Sequence, residues 1–498
     1  MRVVNEMDQQ NFDGEQQQEK QPVKPASKFI KMKPFVLVML LFFTILCTAG
    51  LTVIVLTFGD DKVVEVQKVP VERQEFSQLY DAFDELTEKY YKEVDQQELV
   101  YGAINGMFDA LGDPYTDYMS KDEASSFNEN LSSSFQGIGA EIQERSGYIM
   151  VVSPIRNSPA EKAGLLPQDL ILSVDGESIE GLSASEAVLL IRGEKGTEVT
   201  LEIKRGEADP MTVKIIRDDI PIETVYGELD EEKIGHVQVT SFSENTAQEF
   251  KTILSDLEEQ GMKGLILDVR QNPGGYLNAA IEMANLFVPE GEAILQVQDR
   301  DSEPQIIYAE GGKKYDLPVT VLIDEGSASA SEILAAALSE SAGAKLVGLT
   351  SFGKGTIQEV SQFDDGANLK FTTGKWLTPK GTWINEEGIA PDEEVQYPEY
   401  ASLPYIDPEQ AYEEGTEDSM VEVAELMLQA LNYNPGEVDE AYTAETTAAI
   451  KKFQTDNEIE ATGILTGDTT YSLMDALRVK LQTEDPQMEK AKQLLLAN

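Results

Sequence analysis

Three short segments carry residues that could do chemistry together. The first is Asp324-Glu-Gly-Ser-Ala-Ser-Ala-Ser-Glu-Ile. It follows an apolar run, Val319-Thr-Val-Leu-Ile, and precedes an apolar helical stretch at Ile333–Ala337. A strand-to-helix turn exposes a side chain at a sheet end and aims free N–H groups and a helix N-terminus at the same point. A serine nucleophile and its oxyanion need that arrangement. The competing reading is a plain helix cap, since Ser329 and Glu332 have capping-box spacing. The second segment, Asp268-Val-Arg-Gln-Asn-Pro-Gly-Gly, also follows an apolar run, and its two glycines can offer N–H groups to an anion or simply form a turn. The third is Ser351-Phe-Gly-Lys-Gly-Thr-Ile-Gln. A lysine between glycines is a surface charge in a turn or, if desolvated, a neutral amine able to take a serine's proton. Desolvation can lower a lysine by as much as about 3–5 units from about 10.4.

Composition removes the alternatives. The chain has one His, His236, in an alternating strand pattern, and one Cys, Cys47, inside an apolar N-terminal run. A Ser-His-Asp apparatus would rest on His236 alone, which reads as structural. Intramolecular disulfides and Cys-based zinc sites are excluded. With 39 Lys and Arg against 90 Asp and Glu, the net charge is -51. Nucleic acid would be repelled, so it is not a partner.

The elements that must position these residues fall into a multidomain α+β plan. Residues 1–34 read as a disordered cytoplasmic tail, Gln-rich with lysines before the apolar run. Residues 35–59 read as a transmembrane helix and uncleaved anchor, with the N-terminus cytoplasmic and the rest extracytoplasmic. A cleaved signal peptide, the rival, would have a shorter apolar region. Leu46 before Cys47 argues against a lipoprotein site. Residues 75–131 carry apolar residues at helical spacing and read as a helical layer or a dimer arm. Residues 132–218 shift to short strands around one helix capped by Ser183 and Glu186. Residues 219–400 alternate strands and helices, as in a mixed α/β core. An acidic linker at 401–418 leads to a compact helical bundle at 419–480.

Taken together, the three segments resemble the tail-specific, carboxy-terminal processing serine proteases. Further matches are Gly112-Asp-Pro-Tyr, Thr378-Pro-Lys-Gly and Gly388-Ile-Ala-Pro-Asp. The resemblance implies Ser329 as nucleophile, Lys354 as general base and Gln358 as the residue orienting the lysine. It implies oxyanion donors at Ala330 and in the Gly274-Gly275 loop, and neither metal nor other cofactor. Local geometry selects the same serine. Ser331 falls in the helix's first turn and Ser327 is still in the loop, whereas Ser329 sits at the cap beside the Ala330 N–H.

Residues 132–218 are similar to the PDZ domain of this family, with Gly137, Ile138, Gly139 and Ala140 as its carboxylate-binding loop. A protein C-terminus would add as a strand beside the Ser183–Arg192 helix, and apolar or small terminal residues would be favoured. Arg192, in Arg192-Gly-Glu-Lys-Gly, is a candidate for gating the active site. The last module resembles peptidoglycan-binding-like domains at Leu426–Leu431, Asn434-Pro-Gly and Thr446–Gln454. The turn that such domains write Asp-Gly is Asp439-Glu440 here. Peptidoglycan is therefore the module's expected partner, with protein docking the alternative. The functional expectation is an endopeptidase acting on extracytoplasmic proteins gripped by their C-termini. The alternative is a non-catalytic adaptor that tethers proteins at the membrane surface.

Overall fold

A computed structural model describes residues 74–497 except 146, 207, 312 and 313. The expected tail and membrane span lie outside the described residues. Among those described, no helix is long and apolar enough to cross a membrane.

The chain divides into two compact units between Val94 and Asp95. In the first, a short 3-10 turn leads into the helix Ser77–Lys89, none of whose residues is buried. The second unit opens with the helix Gln96–Asp109, capped by the Asp95 carboxylate. The expected all-helical region ends differently from the reading above. Asp117–Met119 is a strand, and it pairs with Asn368, Leu369 and Lys370 of the mixed α/β region. Tyr118 and Met119 are buried there. The helix Lys121–Leu131 follows, closed by a Ser120–Glu123 capping box.

The region similar to a PDZ domain holds a six-stranded sheet and two helices. Its core is Ile149, Val151, Ile171, Leu201 and Ile203 against Ala187 and Ile191 of the helix Ala184–Ile191. Strand Ala140–Arg145 forms one edge and pairs only with Tyr148–Pro154. The buried Arg217 closes the helix's far end, donating to the Ile191 carbonyl at 2.8 Å.

The region from 219 to 400 is built on a six-stranded sheet. Its strands run in the order Val225–Leu229, Ile234–Val239, Gly264–Asp268, Val319–Ile323, Lys345–Gly348 and Glu393–Glu394. All neighbours are parallel except the first pair. Strands buried on both faces read as continuous apolar runs, and every residue of Gly264–Asp268 is buried. Alternate residues serve opposite layers. Leu265, Leu267, Val321 and Ile323 face Phe250, Met283 and Leu334 of three helices. Ile266, Leu322 and Val347 face Ala491 and Leu495 of the helix Pro486–Leu496. A second, antiparallel sheet contains Thr356–Gln362, Asn368–Leu377 and Ala293–Asp299.

The C-terminal bundle contains Ser419–Ala430, Ala444–Asp456 and Gly467–Thr483 around Leu428, Ile450, Phe453 and Leu473. The helix Pro486–Leu496 was not anticipated. It leaves the bundle and returns to the rear of the six-stranded sheet. At its start Asp485 pairs with Arg270 at 2.7 Å and Gln487 accepts from Arg270 at 2.9 Å. The bundle is thus inserted between the last strand of the sheet and a helix that covers that sheet.

Candidate active site

Parallel strands place their following loops at one end of the sheet, the place where sites of open α/β sheets form. Gly264–Asp268, Val319–Ile323 and Lys345–Gly348 are consecutive neighbours. Their three exit loops are the three segments singled out in the sequence. Topology therefore brings together residues 25 to 80 positions apart.

Ser329 caps the helix Ala330–Ala342 with φ 55° and ψ -112°. A non-glycine residue rarely adopts such a backbone, and strain of this kind is kept where surrounding contacts impose it. Those contacts are visible. The buried Asn272 carbonyl accepts the Ala328 N–H at 3.0 Å and the Ser331 hydroxyl at 2.8 Å. Ser327 donates its hydroxyl to the Val269 carbonyl at 2.8 Å and accepts the Asp324 N–H at 3.0 Å. Ser327 and Ser331 are fully buried and committed. Ser329 alone of the three is partly exposed.

Gly274 lies against this turn. A Cβ placed on it would stand 2.8 Å from the Ser329 Cβ and 3.0 Å from the Ala330 N, with φ at +100°. The space in front of the serine therefore exists because residue 274 has no side chain. The Gly274 N–H donates to the Asn272 side chain at 2.9 Å. The Gly275 N–H and that of Ala330 are left without an acceptor among the described residues. Of the two glycines, Gly275 is the one with a donor to spare.

Lys354 is fixed through its backbone. Its N–H donates to Glu332 at 2.9 Å, and its carbonyl accepts the Trp376 indole at 2.8 Å. Its ammonium lies 4.9 Å from the ring centroid of Tyr115, the tyrosine of Gly112-Asp-Pro-Tyr. Burial first, then the charge of Lys370, lowers the amine below the ordinary lysine value, while Glu332 and Asp113 pull it upward. A partly dry lysine beside another cation is a better base at neutral pH. No hydrogen bond joins it to Ser329 or Gln358 among the described residues. The Gln358 amide donates to Thr356 at 2.9 Å and Thr372 at 3.1 Å.

The residue missed from sequence is Glu332. It was legible only as a cap partner, and it does accept the Ser329 N–H at 2.8 Å. Fully buried, it also accepts the Ser351 hydroxyl at 2.6 Å and the Gly353 N–H at 2.7 Å. One carboxylate ties the serine turn to the lysine loop. His236 stands elsewhere, with Nε2 3.5 Å from Asp268.

In the PDZ-like region, the loop Gly137–Ala140 turns through Gly139 at φ +76°. A Cβ at Gly139 would meet the Ser158 Cβ at 2.5 Å. The N–H groups of Ile138 and Gly139 have no acceptor among the described residues. Arg192 pairs with Glu129 at 2.8 Å and its guanidinium lies 5.0 Å from the Phe135 ring centroid.

Comparison with known proteins agrees with this organisation. Residues 233–395 match peptidase family S41, and residues 53–123 match the N-terminal domain of the activating protease CtpB. Residues 150–205 match a PDZ domain and 417–473 a putative peptidoglycan binding domain. The carboxy-terminal processing protease CtpA of Bacillus subtilis is 44% identical over 91% of this chain and 97% of its own length. CtpB of the same organism is 38% identical over 84% and 88%. A probable CtpA-like serine protease of Staphylococcus haemolyticus is 36% identical over 93% of each chain. The chain belongs to the carboxy-terminal processing proteases of peptidase family S41 and is a serine-type peptidase.

Proposed function

We propose that the protein is an endopeptidase that grips proteins by their C-termini and cleaves them with Ser329 and Lys354. The observation that carries the reading is the single buried carboxylate, Glu332, that accepts from both Ser329 and Lys354. In the reaction, the Ser329 hydroxyl gives its proton to the neutral Lys354 amine as the oxygen attacks the peptide carbonyl. The N–H groups of Ala330 and Gly275 receive the oxyanion. The lysine returns the proton to the departing amine. It then takes a proton from the water that attacks the acyl-enzyme and hands it to the Ser329 oxygen as the acid departs, which restores the free serine and the neutral amine.

Before substrate binds, the Lys354 ammonium rests over Tyr115. Catalytic hydrogen bonds commonly tighten only in the substrate complex, so the amine swings from that ring to the serine, where Gln358 orients it. Substrate enters through the loop at Ile138 and Gly139, which takes the terminal carboxylate while the chain adds to the open edge of Ala140–Arg145. Arg192 reports occupancy. Its partner Glu129 lies on the helix that follows strand Asp117–Met119, and that strand begins two residues after Tyr115.

The apolar run at 35–59, lysines before it and acids after it, supports anchoring in the cell membrane with the catalytic part outside. Peptidoglycan is the partner proposed for the bundle. The exposed apolar residues of Gln96–Asp109, Val100 and Met107, suit pairing with a second copy.

A serine-reactive phosphonate applied to the full chain tests the reading. Labelling should map to Ser329 and vanish in Ser329→Ala and Lys354→Ala. Absence of both labelling and cleavage in the native chain would favour the adaptor.

A further inference from the structure

The open edge of Ala140–Arg145 does not end in solvent. Its last three residues, Gln143, Glu144 and Arg145, form one wall of a cleft of about 490 Å³. The other wall belongs to the C-terminal region: Tyr405 from the linker, and Tyr471 and Met474 with the polar Ser472, Asp475 and Arg478 from the helix Gly467–Thr483. The wall is anchored to the strand, since Arg145 pairs with Asp468 and its guanidinium lies 6.0 Å from the Tyr471 ring centroid. Tyr405 is 67% exposed and Tyr471 36% exposed. Two large rings are thus left facing water beside a strand edge that has no partner.

The direction of the strand says what reaches them. A peptide whose carboxylate sits at Ile138 and Gly139 and which pairs antiparallel with Ala140–Arg145 runs backward along that strand. At roughly 3.3 Å per residue, about six peptide residues match the six of the strand. The residues further upstream then leave the sheet at Arg145, where the cleft opens. The cleft shares Gln143, Glu144 and Arg145 with the strand edge, and within a largely polar lining the Tyr405 and Tyr471 rings and the Met474 thioether offer a contact for a large side chain.

We propose that this cleft is a second substrate subsite, which takes a bulky apolar or aromatic side chain about five to eight residues upstream of the substrate's C-terminus. The inference rests on the reading of Gly137–Ala140 as the carboxylate loop. It makes the C-terminal module part of substrate selection: the protease reads the last residues of a tail on one domain and an upstream anchor on another.

The test uses the full chain carrying Ser329→Ala, so that ligands are bound without being cut. Fluorescent peptides of five and twelve residues share one C-terminus. The longer ones carry Phe or Ser at each position from five to eight upstream. We expect a twelve-residue peptide with Phe at one of these positions to bind about tenfold more tightly than the five-residue peptide. The Tyr405→Ser/Tyr471→Ser variant should lose that gain and bind the five-residue peptide unchanged. Both tyrosines are at the surface, so the fold tolerates the change. Equal affinity of long and short peptides overturns the proposal. So does a gain that survives in the variant, which would assign the cleft to another occupant. If the five-residue peptide does not bind, or binds equally when its carboxylate is amidated, the carboxylate-loop reading fails and the subsite fails with it.

Discussion

Glu332 accepts the backbone N–H of Lys354 at 2.9 Å with the same oxygen that accepts the N–H of Ser329 at 2.8 Å. The carboxylate is fully buried, and its other oxygen holds Ser351 and Gly353. Glu332→Gln replaces one accepting oxygen by an NH2 group facing N–H donors. Leaving buried donors unpaired costs about 1–3 kcal/mol, and displacing a reacting group by 1 Å costs about a hundredfold in rate. We expect a lower urea midpoint together with a fall in kcat of about a hundredfold. An unchanged kcat in the folded variant would show that the shared carboxylate does not set the serine–lysine geometry.

The alternating serines give a sharp contrast. Ser327 and Ser331 hydroxyls are spent on the Val269 and Asn272 carbonyls. Ser327→Ala and Ser331→Ala should each lose about 1–3 kcal/mol of stability from unpaired buried groups and keep part of their activity. Ser329→Ala should keep none and remain as stable as the native chain. His236→Ala should stay active, its ring lying 3.5 Å from Asp268 and not at the serine. Peptide mapping of the phosphonate adduct and a steady-state assay of the four variants decide this. An adduct on Ser327 or Ser331 would sink the assignment.

The three chemical segments were legible because each is local: an apolar strand, a glycine or serine turn, and residues with few other uses. What escaped the sequence depends on partners far along the chain. Asp117–Met119 is three residues long between two helices, and its partner Asn368–Lys370 is about 250 positions away. No local periodicity separates it from the helices. Pro486–Leu496 buries Gln487, Ala491 and Leu495 at helical spacing, but the sheet it covers was folded from residues 234–348. Glu332 has the spacing of a cap, and its bonds to Ser351, Gly353 and Lys354 arise only when two sheet-end loops meet. The division of labour between Gly274 and Gly275 was visible in principle, since an Asn two residues before a glycine can take that glycine's N–H for itself.

The pH dependence of activity should follow Lys354. As the proposed base the amine must be neutral to accept the serine proton, so kcat/KM should rise with pH and level off above its pKa. Burial and Lys370 depress that pKa, and Asp113 and Glu332 raise it. Removing the neighbouring cation with Lys370→Met should therefore move the rising limb to higher pH. Asp113→Asn removes a carboxylate and should move it to lower pH. Opposite displacements in pH–rate profiles of the two variants are the signature. Coincident profiles would show that some other group supplies the base. Lys354→Arg should be inactive at every pH, because arginine keeps its proton.

Arg192 and Glu129 are each about two-fifths exposed, and an ion pair of that kind contributes only about 0–1 kcal/mol. It is weak enough to exchange when a peptide fills the groove. Arg192→Ala should leave peptide binding within about twofold and lower turnover of a folded substrate by tenfold or more. A stability loss under 1 kcal/mol cannot account for such a fall. Binding titrations and turnover, measured side by side, separate the cases. If both match the native chain, Arg192 is a surface residue and the gating proposal is wrong.

The C-terminal helix should prove to be part of the protease and not of the bundle that precedes it. Ala491 and Leu495 cover Ile266, Leu322 and Val347, each nearly fully buried beneath them. Asp485 and Gln487 complete the shell of the Arg270 guanidinium, which otherwise has Asp268 alone. Arg270 adjoins Gln271, whose N–H and amide both bond Asp324 at the start of the serine loop. Deleting residues from Glu484 onward uncovers three strands and leaves a cation half-paired, so we expect a chain that aggregates or melts far below the native one. Leu495→Ala is the gentler probe. It should cost about 2–5 kcal/mol, as large-to-small core changes do, while kcat on a short peptide stays near native at low temperature. A synthetic peptide spanning residues 484–498 should restore activity to the truncated chain when both are refolded together. A truncated chain that is fully active and melts with the native one would place this helix outside the protease core, and Arg270 would then need no partner beyond Asp268.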